Sequence, residues 1–259
     1  MDLGIRGKVA LVTGGSRGLG RQCALSLASE GVNVAISGRT RATLDKTVAE
    51  LEALGVASTG VVGDVSSDGD IEPLHRAVVD ALGPMDILVN NAGGGSNPRE
   101  DITSIALEDF KGTFDLNLFG AFQLIKLALP HMRGQRWGRV INIASIWGRE
   151  QGGNIGSMSA KAALIAATKN AAVSLAKDGV LVNSLAPGSI AHAEGRWERF
   201  QNENTAEIVA EFIDRNLPMG KFGWPEPVGD LVAFLSSDRA GLITGACIVV
   251  DGGQSYSMI

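Results

Sequence analysis

Tyrosine is nearly missing from this chain. The 259 residues contain one, Tyr256, and aromatic side chains make up only 5%. Cysteine is almost as scarce: Cys23 and Cys247 lie far apart in apolar surroundings, which excludes a disulfide framework and fits small core residues in a reducing compartment. The histidines, His75, His131 and His192, join no Cys, Asp or Glu at metal-ligand spacing, so no metal is expected. No basic block is present and the net charge is −5, which argues against nucleic acid or an anionic membrane as the main partner. No apolar run is long enough to cross a bilayer. Met1-Asp2-Leu3-Gly4-Ile5-Arg6 reaches the first apolar run at once, leaving no room for a targeting peptide, and a cytoplasmic location is the expectation. No Pro/Ser-rich or charged linker divides residues 1–259, so one domain is expected.

What is present is a core-forming composition, 45% hydrophobic and 20% charged, with 34 glycines for tight connections. Short apolar runs alternate with helical spacing. Strands are predicted at Val9–Val12, Val32–Ser37, Ser58–Gly63, Asp86–Asn90, Arg139–Ala144, Val180–Leu185 and Ala246–Val250. Between them, helical patterns run from about Cys23 to Leu27, Arg41 to Leu54, Asp68 to Leu82 (capped near Ser66 or Ser67), Leu107 to Met132 and Met158 to Ala176. This alternation predicts an α/β fold: a single-domain, Rossmann-type, doubly wound parallel sheet of about seven strands with helices on both faces. An insertion around 190–217, with Trp197, Phe200, Ile208 and Phe212 among charges, sits where a substrate lid would lie. A solvated helix packed on the body is the plainer reading of it.

The first strand runs into Thr13-Gly14-Gly15-Ser16-Arg17-Gly18-Leu19-Gly20, a glycine turn that opens a helix. Free N–H groups and the positive end of that helix favour phosphate, and Gly14, Ser16, Arg17, Gly18, Leu19 and Gly20 are the candidate cradle. The second strand ends Ser37-Gly38-Arg39, with no carboxylate to bind the ribose 2′-hydroxyl of NAD. Arg39, with Arg17, instead suits the 2′-phosphate of NADP, so NADP(H) is expected over NAD(H). Two solvated arginines beside a less selective pocket would read the same way. Asp64-Val65 and Asn91-Ala92-Gly93 follow the third and fourth strands and open on the same edge, Asp64 as acceptor for the adenine amino group and the small residues beside the ribose. Asn90 reads equally well as a tie between strands.

Together Thr13-Gly14-x-x-x-Gly18-x-Gly20, Asn90-Asn91-Ala92-Gly93, Asn117, Ser145, Lys161, Pro187-Gly188 and Asp251-Gly252-Gly253 stand in the order of the short-chain dehydrogenase/reductase family, which the whole chain resembles. The resemblance implies hydride transfer between a nicotinamide cofactor and a carbonyl or secondary alcohol. It implies that Ser145 binds the substrate carbonyl, Lys161 holds the nicotinamide ribose and lowers the pKa of a proton donor, and Asn117 anchors a water toward Lys161. Pro187, Gly188 and Ile190 would pass the nicotinamide, and His192, near a position where the family often has threonine, reads as a solvent-facing loop residue. The family is commonly tetrameric or dimeric, so a homotetramer or homodimer is expected, through apolar positions on Ala106 to Met132 and Ala160 to Leu175.

One position breaks the pattern. The family places tyrosine four residues before the lysine, and here that residue is Ser157, with Tyr256 far away in sequence. A serine hydroxyl is a much weaker acid than a phenol and stops short of the substrate. The expectation is therefore an NADP(H)-dependent oxidoreductase acting on a small carbonyl or alcohol, impaired or rerouted at Ser157. The alternative is a catalytically silent dinucleotide-binding sensor or scaffold. A natural loss and an introduced replacement read alike in the sequence.

Overall fold

In the computed structural model, which describes residues 1–94 and 101–258, the apolar runs become seven strands. They are β1 (Val9–Thr13), β2 (Asn33–Gly38), β3 (Ser58–Val62), β4 (Ile87–Asn90), β5 (Gly138–Ile143), β6 (Val180–Pro187) and β7 (Cys247–Val250). All pair in parallel in the order β3-β2-β1-β4-β5-β6-β7. Strand order reverses between β1 and β4, so a crevice opens beyond their carboxyl ends. That reversal fixes where a ligand can sit.

Side chains alternate along each strand, so both faces need cover. On one face Ala10, Val12, Val34 and Ile36 pack with α1 (Gly18–Ser29) and α2 (Arg41–Glu52). On the other, Leu11, Leu88 and Val140 pack with α3 (Asp68–Leu82) and with Leu124 and Ala172 of two later helices. These strand residues are wholly buried, and the apolar runs become the centre of the molecule.

The long helix expected from Leu107 to Met132 forms in two pieces, α4 (Leu107–Phe114) and α5 (Gly120–Gly134), joined by a wider π-helical turn, Asp115–Phe119, that carries Asn117. The next helix, α6 (Ile155–Leu175), begins three residues earlier than its alanine-rich pattern suggests, because the Asn154 side chain accepts from the Ser157 N–H and caps it. Ser157 thus lies inside the helix. The insertion holds two helices, α7 (Arg196–Glu203) and α8 (Ala206–Asn216). One further helix, α9 (Glu226–Leu235), has no counterpart among the expectations; Val228, Val232 and Leu235 bury one face, and Gly229 lets it press on Gln22 and Ser26 of α1. Its signal is legible afterwards as proline in the first turn and apolar residues at helical spacing. Among the described residues no helix is long and apolar enough to cross a membrane.

Candidate active site

The turn from β1 to α1 is built for an anion. Arg17 at the N-cap is extended and gives α1 no side-chain hydrogen bond, and no acidic residue occupies the first turn. Its first N–H groups and positive dipole end therefore face the crevice without a protein partner of that kind. Gly18 has φ +55°, a left-handed conformation that only glycine adopts easily. The turn is held from β4: Asn91 Nδ2 donates to Thr13 O (2.9 Å) and Gly14 O (3.2 Å), and Thr13 Oγ1 accepts from the N–H groups of Asn91 and Ala92 (3.0 Å each).

A cleft of about 450 Å³ runs from this turn along the carboxyl edge of the sheet. Its walls include Gly14, Ser16, Arg17, Gly18, Leu19 and Gly20 at one end, then Arg39, Asp64 and Val65, then Asn91, Ala92, Gly93 and Lys161. The structure thus brings these sequence-chosen residues into one space. Asp64 Oδ1 accepts from both the N–H and the hydroxyl of Ser66 (2.9 and 2.6 Å), and the hydroxyl, more than the nearby Arg39 charge, holds its carboxyl below the usual range. Asp64 stays an anion and an acceptor. Asn90, by contrast, spends its amide on Asn142 of the neighbouring strand (2.8 Å), which in turn donates to Thr168 (2.8 Å).

At the inner end the lysine is buried. Lys161 Nζ donates to Ile143 O at 2.6 Å, and burial pushes its pKa down to about 8. Gly93 stands between it and Asn117: a β-carbon there would lie 2.8 Å from Asn117 Oδ1 and 3.1 Å from Lys161 Nζ, so only glycine fits without displacing one of them. The Asn117 amide donates to Gly94 O and Thr113 O (2.8 Å each) and Oδ1 accepts from the Gly94 N–H (3.3 Å). Its amide hydrogens are therefore committed to the backbone, which fixes the Gly93-Gly94 strand end beside the lysine.

Asn117, Ser145 and Ser157 are not walls of the cleft themselves but adjoin it, next to Leu116, Ala144 and, one helical turn away, Lys161. Ser145 caps a short 3-10 turn, Ile146–Gly148, its Oγ accepting from Trp147 N–H at 3.2 Å. Ser157 and Lys161 share a face of α6, about 6 Å apart at Cβ by helix geometry. The Ser157 hydroxyl has no hydrogen-bond partner among the described residues, and its N–H goes to Asn154 Oδ1 at 2.7 Å.

Three expected cofactor residues are not among the walls of the cleft: β6 extends through Pro187, Gly188 N–H donates to Val250 O, and Ile190 is buried at a separate apolar pocket beside Phe222 and Trp224. His192 is half-buried at the wall of the cleft. Its ring lies against Gly18, at the mouth of the glycine turn, because the chain turns sharply at Glu194 (φ +59°) and folds back over the cleft. Glu194, Arg196 and Arg199 from this fold-back are also walls, and Glu194 approaches Arg17 at 4.0 Å. Sequence reasoning missed these three, and only their position within the insertion hinted at them.

Behind them α7 and α8 are held to the body by an aromatic cluster. Trp197 touches Phe212 (5.0 Å between centroids), Phe222 (5.3 Å) and Trp147 (6.4 Å), and Phe212 stacks on Phe222 at 5.7 Å. A further cavity, of about 520 Å³, lies between this cluster, the turn after Ser145 and the tail at Gln254 and Tyr256. Among the described residues no group of His, Cys, Asp or Glu is placed to hold a metal.

A reversed parallel sheet, an uncapped helix start at the reversal and a cleft ending at a buried lysine define a dinucleotide-binding α/β protein. Comparison with known proteins narrows the class. A family model described as enoyl-(acyl carrier protein) reductase matches residues 14–255. The chain is 38% identical over 260 residues to the 3-oxoacyl-(acyl-carrier-protein) reductase FabG of Aquifex aeolicus, covering 98% of this chain and 100% of that one. Its fold matches L-sorbose reductase of Gluconobacter frateurii, solved with NADPH and L-sorbose, with TM-score 0.93, 30% identity and full coverage of both chains. A 7α-hydroxysteroid dehydrogenase solved with NADH matches with TM-score 0.89 and 28% identity over 100% of this chain and 98% of that one. The chain belongs to the short-chain dehydrogenase/reductase family of NAD(P)-dependent oxidoreductases.

Proposed function

We propose that this chain is an NADP(H)-dependent oxidoreductase whose turnover on a small carbonyl or secondary alcohol is curtailed at Ser157. The observation that carries the reading is the single cleft joining the glycine turn, Arg39 and Lys161. The residues present fit the cofactor: the uncapped start of α1 suits a pyrophosphate, and Arg17 and Arg39 suit the 2′-phosphate. When bound, NADPH supplies the hydride. The L-sorbose reductase relative was solved with NADPH, which supports the same choice here, and the NADH-bound relative keeps NAD(H) as the less favoured guest.

The chain's own residues have distinct tasks. Asp64 and Val65 flank the adenine and Asn91, Ala92 and Gly93 the ribose. Ser145 donates to the substrate oxygen while keeping its cap to Trp147 N–H. Lys161, poised by burial near neutral pH, has two ammonium hydrogens beyond the one on Ile143 O, for the ribose hydroxyls and for a water in the space a tyrosine ring would fill. Asn117 positions the strand end beside that lysine. Ser157 reaches the reacting oxygen only through such a water, which forfeits much of the general-acid contribution. The segment 190–217 acts as a lid on a single domain, and the protein assembles as a homotetramer or homodimer.

Ser157 also supports a second reading, a dinucleotide-binding sensor or scaffold without turnover. The two part in one assay: NADPH oxidation over a panel of ketones and aldehydes by this chain and by Ser157→Tyr. Rescue by tyrosine supports the reductase; NADPH binding with silence in both chains supports the sensor.

A further inference from the structure

We infer that the cavity beside the cleft selects a carbonyl substrate that carries both an apolar, aromatic-sized body and a carboxylate, and that Arg196 is the residue that reads the carboxylate. The inference rests on the reductase reading above and names its substrate class.

The cavity holds about 520 Å³, a size suited to one small organic molecule. Its apolar wall is Ile146, Trp147, Trp197 and Phe212, drawn from the turn after Ser145 and from both lid helices. A body placed there is flanked by indole and phenyl faces, which favour flat apolar groups. Among the described residues Arg196 is the one wall shared by this cavity and the nucleotide cleft, so its guanidinium stands at the junction through which a reacting carbonyl would be presented.

The charge at that junction is unspent. Arg196 makes no ion pair among the described residues; its guanidinium carbon lies 5.2 Å from the Trp197 ring and 5.8 Å from the Trp147 ring. Both distances are within cation–π range, which favours the exposed guanidinium over the two indoles and leaves its N–H groups to a partner. The acid on the same wall, Glu150, is already committed, Oε2 accepting from the N–H groups of Tyr256 and Ser257 at 2.9 Å each. A guanidinium without a carboxylate, beside a cavity lined by aromatic rings, matches an anionic substrate with an apolar tail. Carboxylate geometry fits the fork through two parallel hydrogen bonds.

The test uses two probes that share a body and a ketone, 2-oxo-4-phenylbutanoate and 4-phenylbutan-2-one, titrated calorimetrically into the full chain with and without NADP⁺. The keto acid binds about tenfold or more tightly than the ketone, the usual weight of a charge-assisted hydrogen bond. Arg196→Gln removes that preference while ketone binding stays within about twofold, and Arg196→Lys keeps part of it. Equal affinity for the two probes, or a loss shared by both in Arg196→Gln, overturns the inference and leaves the dinucleotide reading intact. Discrimination that survives in a chain unable to bind NADP⁺ upholds the carboxylate site and removes the reductase reading instead.

Discussion

Lys161 is a cation that the fold surrounds with little water, and its pKa of about 8 against 10.5 for an exposed lysine has a consequence for stability. Between those values the unfolded chain holds a proton that the folded chain has lost, so stability rises with pH across that window. Lys161→Met removes the rise, and the difference between the urea midpoints of the two chains, followed from pH 7 to pH 10, should shrink the advantage of the methionine variant as pH increases. The comparison isolates the lysine because Cys23, whose thiol burial pushes up to about 12, lends both chains the opposite slope at high pH. A constant difference would mean that Lys161 is not held near neutrality by burial. Arg39 permits a test at the cofactor end. Arg39→Glu offers the ribose hydroxyls an acceptor and repels the 2′-phosphate, and should reverse the order of NADPH and NADH affinities in a fluorescence titration. Such residues were legible in the sequence because short spacings tie glycines, basic groups and strand ends together. His192 was not legible, since its contact with Gly18 depends on a turn at Glu194 that brings distant segments together.

Helix α6 carries both Ser157 and Lys161, and its start sets their register. Asn154 accepts from the Ser157 N–H, so the serine sits in the first turn with its hydroxyl one turn from the lysine. Asn154→Ala should lower stability by about 1 kcal/mol, as loss of a helix cap does, read as a shift in denaturation midpoint with an unchanged slope. No shift would show that the turn is held by other contacts. Element identity followed from apolar periodicity across most of the chain, while boundaries did not. Alanine-rich sequence marks the body of α6 but says little about its first turn, where a capping asparagine after two glycines was the better signal. At the π-helical turn around Asn117, local propensity suggests a continuous helix, whereas tertiary contacts decide its pitch; α9 was missed although its first-turn proline and apolar spacing were there to read.

At the scale of the molecule, the reversal of strand order between β1 and β4 makes a crevice, and the walls of the cleft there come from different segments. The glycine turn stands at one end, Arg39 follows β2, Gly93 and Lys161 stand at the inner end, and the insertion meets the turn through His192 and Glu194. The order of these parts was readable in one dimension; the closeness of insertion and glycine turn was not, because nothing in spacing encodes a contact across so many residues. The central claim is that binding and chemistry are separable in this chain, the first intact and the second limited at one side chain. Its direct measurement is NADPH oxidation by this chain and by Ser157→Tyr, each saturated with NADPH, against the same carbonyl panel. The account predicts equal NADPH affinity and a rate for the tyrosine variant higher by about 10² to 10⁴-fold on at least one substrate. Equal rates in the two chains, or failure of either to bind NADPH, would contradict it.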